Sequence, residues 1–230
     1  MVNEWRAWPE YARDRHTLSV HEAAHLVVGL VTSSWQEDRR AVVYDTDDGA
    51  GGQVEPAVPG PPPTRTLEEA LAPVAVPIHP QLQYLATLRA ATYLAGYAAE
   101  ARLHGFADQV SGPPSAINGS EDARCARIWL RFAWPDERIR PMWRAWTMAD
   151  ALTKDHWAWI RRVAAVIAAH GECDTATAQT LCCKAISDSG FCRVWHRASG
   201  VGVPPERGTS GRGHPHRGTV PPISSGGRRD

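Results

Sequence analysis

The chain has 230 residues, 43% of them hydrophobic, enough for one large domain or a domain with an appendage. Its 25 basic and 25 acidic residues cancel, so no global field favours nucleic acid or an anionic membrane as partner. No apolar run reaches the ~18 residues that span a bilayer, Met1–Glu10 lacks the apolar stretch of a secretory leader, and five mostly late Cys read as reduced thiols in a cytoplasmic protein.

The first predicted helix runs from near Tyr11 to about Thr32 and contains His21-Glu22-Ala23-Ala24-His25. This is HExxH, and a chain of this composition would carry roughly 0.02 such matches by chance. Two histidines four apart share one helical face, a turn apart, so both imidazoles can hold one tetrahedral Zn²⁺. Glu22 lies too far round the helix for a natural third ligand but can reach a water at the metal, as a general base requires. The flanking Thr17–Leu30 run has no proline and is largely apolar, as befits a buried helix whose polar groups a metal satisfies.

After a polar link, Ala41–Tyr44 reads as a strand, Asp45–Gly52 as a turn, and Gly51–Val54 as a short returning strand. Pro56–Pro63 is a Pro/Gly-rich loop, and Thr66 with Glu69 forms a capping-box pattern that starts a short helical turn. Pro80 opens a long helix ending near Gly105, with Leu82, Leu85, Leu88, Thr92, Ala95 and Ala99 as its stripe. Its small residues, among them Ala91, Ala95, Gly96, Ala98 and Ala99, allow close approach of a neighbour. Phe106–Gly119 is loop-like, and Ser120 caps a helix from Glu121 to about Ala133. One further helix is expected over Met142–His170, stopped by Gly171, and a last one over Thr175–Ile186. Most of the ten Trp fall between residues 129 and 159, as packing groups, and His156 belongs to the same aromatic helix. The segment 197–230 has no aromatic residue and is dense in Gly, Pro, Ser and Arg, so it is expected to be a disordered tail.

A catalytic zinc site takes three protein ligands and keeps one position open. Leu26–Val31 excludes the HExxHxxGxxH extension. The spacing leaves Glu37, Glu121 and Asp122 as carboxylate candidates, with Asp122 favoured because it opens a helix after a loop. First-turn acids also arise simply to complement the helix dipole, so position alone does not decide between Glu121 and Asp122. Cys182, Cys183, Cys192 and His196 fit no standard zinc knuckle, and no GxxxxGK[ST] phosphate loop is present.

Three motifs carry a family resemblance: His21–Gly29, Leu94–Gly105 and Gly119–Asp122 with Ala126-Arg127. In that order they resemble the HEAGH helix, the LAGRAAEE…FG helix and the Asp-bearing helix start of FtsH-type, ATP-dependent zinc metalloproteases. The resemblance spans roughly residues 13 to 190. It implies His21, His25 and Asp122 as zinc ligands, Glu22 as base, and an edge strand at Gly51–Val54 beside the site where a substrate adds as a strand. Ala24 and Tyr97 depart from the Gly and Arg usual there, Asp108–Ser115 differs in length, and neither the ATPase nor a membrane anchor is found.

The expected fold is therefore mainly α, zincin-like, with a small β hairpin or edge sheet near residues 40–55. The expected domains are a stand-alone FtsH-like zinc peptidase over 1–196 and the tail over 197–230. The expected activity is Zn²⁺-dependent endopeptidase action on peptides or unfolded protein, with a separate unfoldase and homo-oligomer formation both compatible, and with no nucleic acid or membrane partner. The alternatives are a non-catalytic, zinc-stabilised adaptor and a regulatory peptidase specific for one protein.

Overall fold

A computed structural model describes residues 14–34, 38–47, 49–57, 66–71, 78–110, 112–113, 117–135 and 140–187. Helix α1, Arg15–Val31, begins where the Asp14 side chain accepts a hydrogen bond from the Thr17 N–H at 2.7 Å. Every residue from Thr17 to Gly29 is buried. A helix apolar all round must be enclosed on every side. Here α3, α6 and the sheet enclose it.

The sheet has three antiparallel strands in the order β2-β1-β3: β1 Arg39–Thr46, β2 Gly49–Pro56 and β3 Glu172–Asp174. The hairpin is longer and tighter than the sequence suggests. Strand pairing runs from Arg39 with Pro56 to Thr46 with Gly49, so Gly49–Gly52, expected as turn, are ladder residues. Ala41 and Val43 alternate inward on β1 onto α1, as a half-buried strand should. β3 comes from a three-residue segment with no strand pattern of its own and exists because it pairs with Arg40–Val42 of β1. β2 therefore has an unpaired outer edge among the described residues.

The Thr66/Glu69 capping box is formed and starts α2, Leu67–Ala70. Helix α3, Pro80–Leu103, follows, and its buried face is mostly Ala from residue 90 onward. The expected stripe needs correction at its start: Leu82 and Leu85 are each 47% exposed, and burial is complete only from Thr92. The small residues further along do admit close neighbours, since α1, α4 and α5 all pack on α3. A 3₁₀ turn, Ala107–Gln109, interrupts the expected loop. Ser120 caps α4, Glu121–Ala133, through the Ala123 N–H at 3.1 Å.

The expected single helix over Met142–His170 is two: α5, Arg140–Asp155, and α6, Trp157–His170. The chain breaks at His156 (φ −107°, ψ 17°), with no Gly or Pro to announce it. Tertiary packing explains the break. α5 packs in a cluster with α3 and α4, whereas α6 packs with α1, β1 and α7, and one straight helix cannot serve both. Gly171 ends α6 at φ 83°, the left-handed conformation that its lack of Cβ permits. Helix α7, Thr175–Ser187, is fastened to α6 where the Trp159 indole N–H donates to Ala178 O at 2.8 Å.

All described residues lie in one compact unit, Met1–Cys192. Among them no helix is long and apolar enough to cross a membrane. The tail at 197–230 and Glu37 lie outside the described residues, as do Cys192, His196 and the side chain of Cys183.

Candidate metal centre

α1 brings His21 and His25 to its face against α3, and both are almost fully buried. His21 Nδ1 meets Glu100 Oε1 of α3 at 2.5 Å, and His25 Nδ1 meets the Thr92 carbonyl oxygen at 2.7 Å. Both partners are acceptors, so each Nδ1 carries the proton and donates it. Each Nε2 is then left with a lone pair. The two Nε2 atoms nevertheless face each other at 2.9 Å, and Asp122 Oδ2 lies 3.3 Å from one and 3.4 Å from the other. Three lone-pair donors converging in a buried space repel one another unless a cation lies between them.

The two sides that end at Asp122, 3.3 and 3.4 Å, also have the right length, and the 2.9 Å side between the imidazoles is shorter. An ion held tetrahedrally at zinc–ligand distances of ~2.0–2.1 Å requires donors about 3.3 Å apart. Among the described residues, His21, His25 and Asp122 form the only group of His, Cys, Asp or Glu whose ligand atoms converge in this way. Two imidazole nitrogens and one carboxylate oxygen make a donor set suited to Zn²⁺, which takes four ligands.

Charge balance points the same way. Glu22, Glu100 and Asp122 place three carboxylates around two imidazoles, the first two buried and the third partly so. Unbalanced, that negative charge costs several kcal/mol per ion. Without a metal, protons supply the balance. Burial opposes charge on His21, but Asp122, Glu100 and Glu22 outweigh it and raise its pKa well above 6.5. Burial likewise opposes charge on His25, and Asp122 again outweighs it, raising its pKa. Burial pushes Asp122 up, yet the imidazoles of His25 and His21 hold it far below the usual carboxylate range.

These shifts set a pH dependence. The raised imidazoles stabilise the metal-free fold fully below about pH 6.5, and that contribution is lost as pH climbs through their raised values. The lowered Asp122 contributes above about pH 3.8 and is lost as pH falls further. A cation needs both imidazoles deprotonated, so its stabilisation grows as theirs fades. The melting-temperature gain on adding zinc to chelator-stripped protein should widen from about pH 6 to about pH 8. A constant or shrinking gain would contradict protons and metal competing for one site.

Glu22 belongs to the same centre. It is 4% exposed, its charge acts on both imidazoles, and its side chain packs on β2, where a Cβ on Gly52 would sit 2.7 Å from Oε1. The hairpin edge therefore runs directly past the carboxylate. On α3, a Cβ added to Gly96 would collide with the His21 ring at Nε2 and both adjoining carbons. Tyr97 packs edge-on to His21 with ring centroids 4.9 Å apart. Gly96→Ala should therefore tilt His21 from its ligating position, lower zinc affinity at least tenfold and cost about 1–3 kcal/mol of stability. A chelator-competition titration and a melt measure both, and wild-type affinity in that variant would remove the steric argument.

The structure thus brings together His21, Glu22, His25 and Asp122. Glu121 turns outward, ion-paired to Arg124 with Nε–Oε2 at 2.7 Å, so it is not in the cluster. His156 packs on Trp159 at the α5–α6 break, and Cys182 is buried in the apolar core. Glu100 and the Thr92 carbonyl were not singled out by the sequence, and Gly96 only as one of the small residues that admit a neighbour. Glu100 had a visible signal, a lone acid inside Ala98-Ala99-Glu100-Ala101, where an uncompensated carboxylate would be costly. Comparison with protein-family models, with curated proteins and with solved structures gives no match.

Proposed function

We propose that the chain is a zinc-dependent endopeptidase in which His21, His25 and Asp122 hold the ion and Glu22 is the general base. The observation that carries this reading is the convergence of two Nε2 lone pairs and the Asp122 carboxylate beside a buried Glu22 that is not one of the ligating group. A purely structural zinc site closes its fourth position with another ligand and has no use for a neighbouring carboxylate outside the ligand set. Bound there, Zn²⁺ supplies Lewis acidity, polarising a carbonyl and making a water acidic near pH 7.

The chain's own residues do the rest. Glu100 and the Thr92 carbonyl fix the imidazoles in the tautomer that turns Nε2 toward the site. Glu22 takes a proton from the attacking water on a carboxylate oxygen and returns it to the leaving amine. The outer edge of β2, unpaired among the described residues, can hydrogen-bond an extended peptide as a fourth strand, which would lay its backbone alongside Glu22 at Gly52. Such pairing reads backbone more than side chains and favours unfolded or flexible substrates.

The test is hydrolysis of unfolded casein by the zinc-loaded protein. Cleavage should be abolished by a chelator and restored by zinc. Stoichiometric zinc without any chelator-sensitive cleavage would instead favour an adaptor that keeps the ion for stability.

A further inference from the structure

Helices α3 and α4 run antiparallel, and their facing stripes extend away from the metal centre. At the near end, Gly96 and Asp122 flank the His21 ring. Midway, Tyr93 and Cys125 lie near each other; burial first, then Cys125, raises the Tyr93 hydroxyl pKa. Further along, the Arg89 guanidinium lies 5.7 Å over the Trp129 ring, and at the far end Gln83 Nε2 donates to Ala133 O at 3.2 Å. The spacings 89, 93, 96 and 122, 125, 129 keep each set on one helical face. Arg89 is two turns from Gly96, about 10 Å along the axis.

Arg89, Tyr93, Trp129 and Asp122 are all partly exposed, so solvent reaches the seam along this stretch. Arg89 makes no ion pair with any described residue, although burial and the nearby Arg39 both press against its charge. The Trp129 indole N–H beneath it is shielded and has no hydrogen-bond partner among the described residues. A half-desolvated guanidinium on an aromatic floor, with no acid paired to it among the described residues, is complementary to a carboxylate, which it can grip through two parallel N–H···O bonds.

We infer that the α3–α4 seam is a carboxylate-recognising subsite anchored by Arg89, selecting peptides with a carboxylate about three extended residues from the cleaved bond. This rests on the peptidase reading and adds a substrate class to it. The carboxylate is either an Asp or Glu side chain or the peptide's own C-terminus, and both present the same two oxygens.

Binding tests it without turnover. Zinc-loaded Glu22→Gln protein is titrated with fluorescein-labelled ten-residue peptides that carry Glu or Gln at each position in turn, with free or amidated C-termini. One acidic placement should bind about tenfold tighter than its amide counterpart. A preference at an internal position identifies a side chain, and one confined to free C-termini identifies the terminus. Adding Arg89→Gln should bring that ratio to about one while neutral peptides bind within twofold. Arg89→Lys, a point charge without the fork, should retain part of the preference and serves if Arg89→Gln does not fold. Equal binding of acidic and neutral peptides, no binding at all, or a preference that survives Arg89→Gln would overturn the assignment. Failure of the wild type to cleave any peptide would instead count against the peptidase reading, and the binding ratio would still stand.

Discussion

Glu22→Gln should keep its fold and its zinc and lose about 10²–10⁴-fold of its peptide hydrolysis. The amide occupies almost the same volume and still fits against β2 at Gly52, so the packing around it is preserved. It cannot accept the proton from the attacking water. It also removes a negative charge that helps raise the pKa of both imidazoles, so in the variant they give up their protons at lower pH. That easier deprotonation offsets the weaker attraction for the dication, so zinc should be retained near neutral pH. This combination separates the base from the ligands. Zinc content is measured beside kcat on one fluorogenic peptide, and substantial turnover in the variant would remove Glu22 from its role.

Asp122→Ala should have the second large effect, on the metal instead of the chemistry. It deletes one of three protein donors, so zinc affinity should fall by more than the about 10–100-fold that loss of a supporting residue costs. The variant should also lose most of the thermal stabilisation that zinc gives the wild type, since binding to the folded state alone is what shifts the melt. The change leaves the α4 start intact, because its cap is Ser120, not Asp122. Glu121→Ala is the matched control. Its carboxylate is engaged by Arg124 at the surface, and its removal should leave zinc affinity unchanged. Unchanged zinc binding in Asp122→Ala would defeat the third-ligand assignment.

The helical part of the candidate site was legible in the sequence, and the reason is locality. His21, Glu22 and His25 lie within five residues of one helix, where spacing alone fixes which groups share a face. Asp122 was harder, because its first-turn position suits Glu121 as well, and only three-dimensional packing shows that one faces the imidazoles and the other faces Arg124. Glu100 is 79 positions from the histidine it holds, and the Thr92 acceptor is a backbone atom common to every residue, so no side-chain pattern could reveal it.

Element identity followed the same rule. α1, the β hairpin, α3, α4 and α7 have their own periodicity and caps. The break at His156 has no local cause, since Lys154–Trp159 is helix-compatible and the interruption comes from α5 and α6 packing on different partners. β3 is three residues recruited by the free edge of β1. Leu82 and Leu85 fit the helical stripe by period, yet no described element covers them, and periodicity records a face without saying how far its neighbour extends.

The most direct measurement is the anomalous diffraction signal at the zinc absorption edge from crystals of the zinc-loaded protein. One peak per chain is expected, about 2.0–2.2 Å from His21 Nε2, His25 Nε2 and an Asp122 carboxylate oxygen, with a fourth position not filled by protein. A peak elsewhere, a fourth protein ligand closing the site, or no peak at full zinc loading would contradict it.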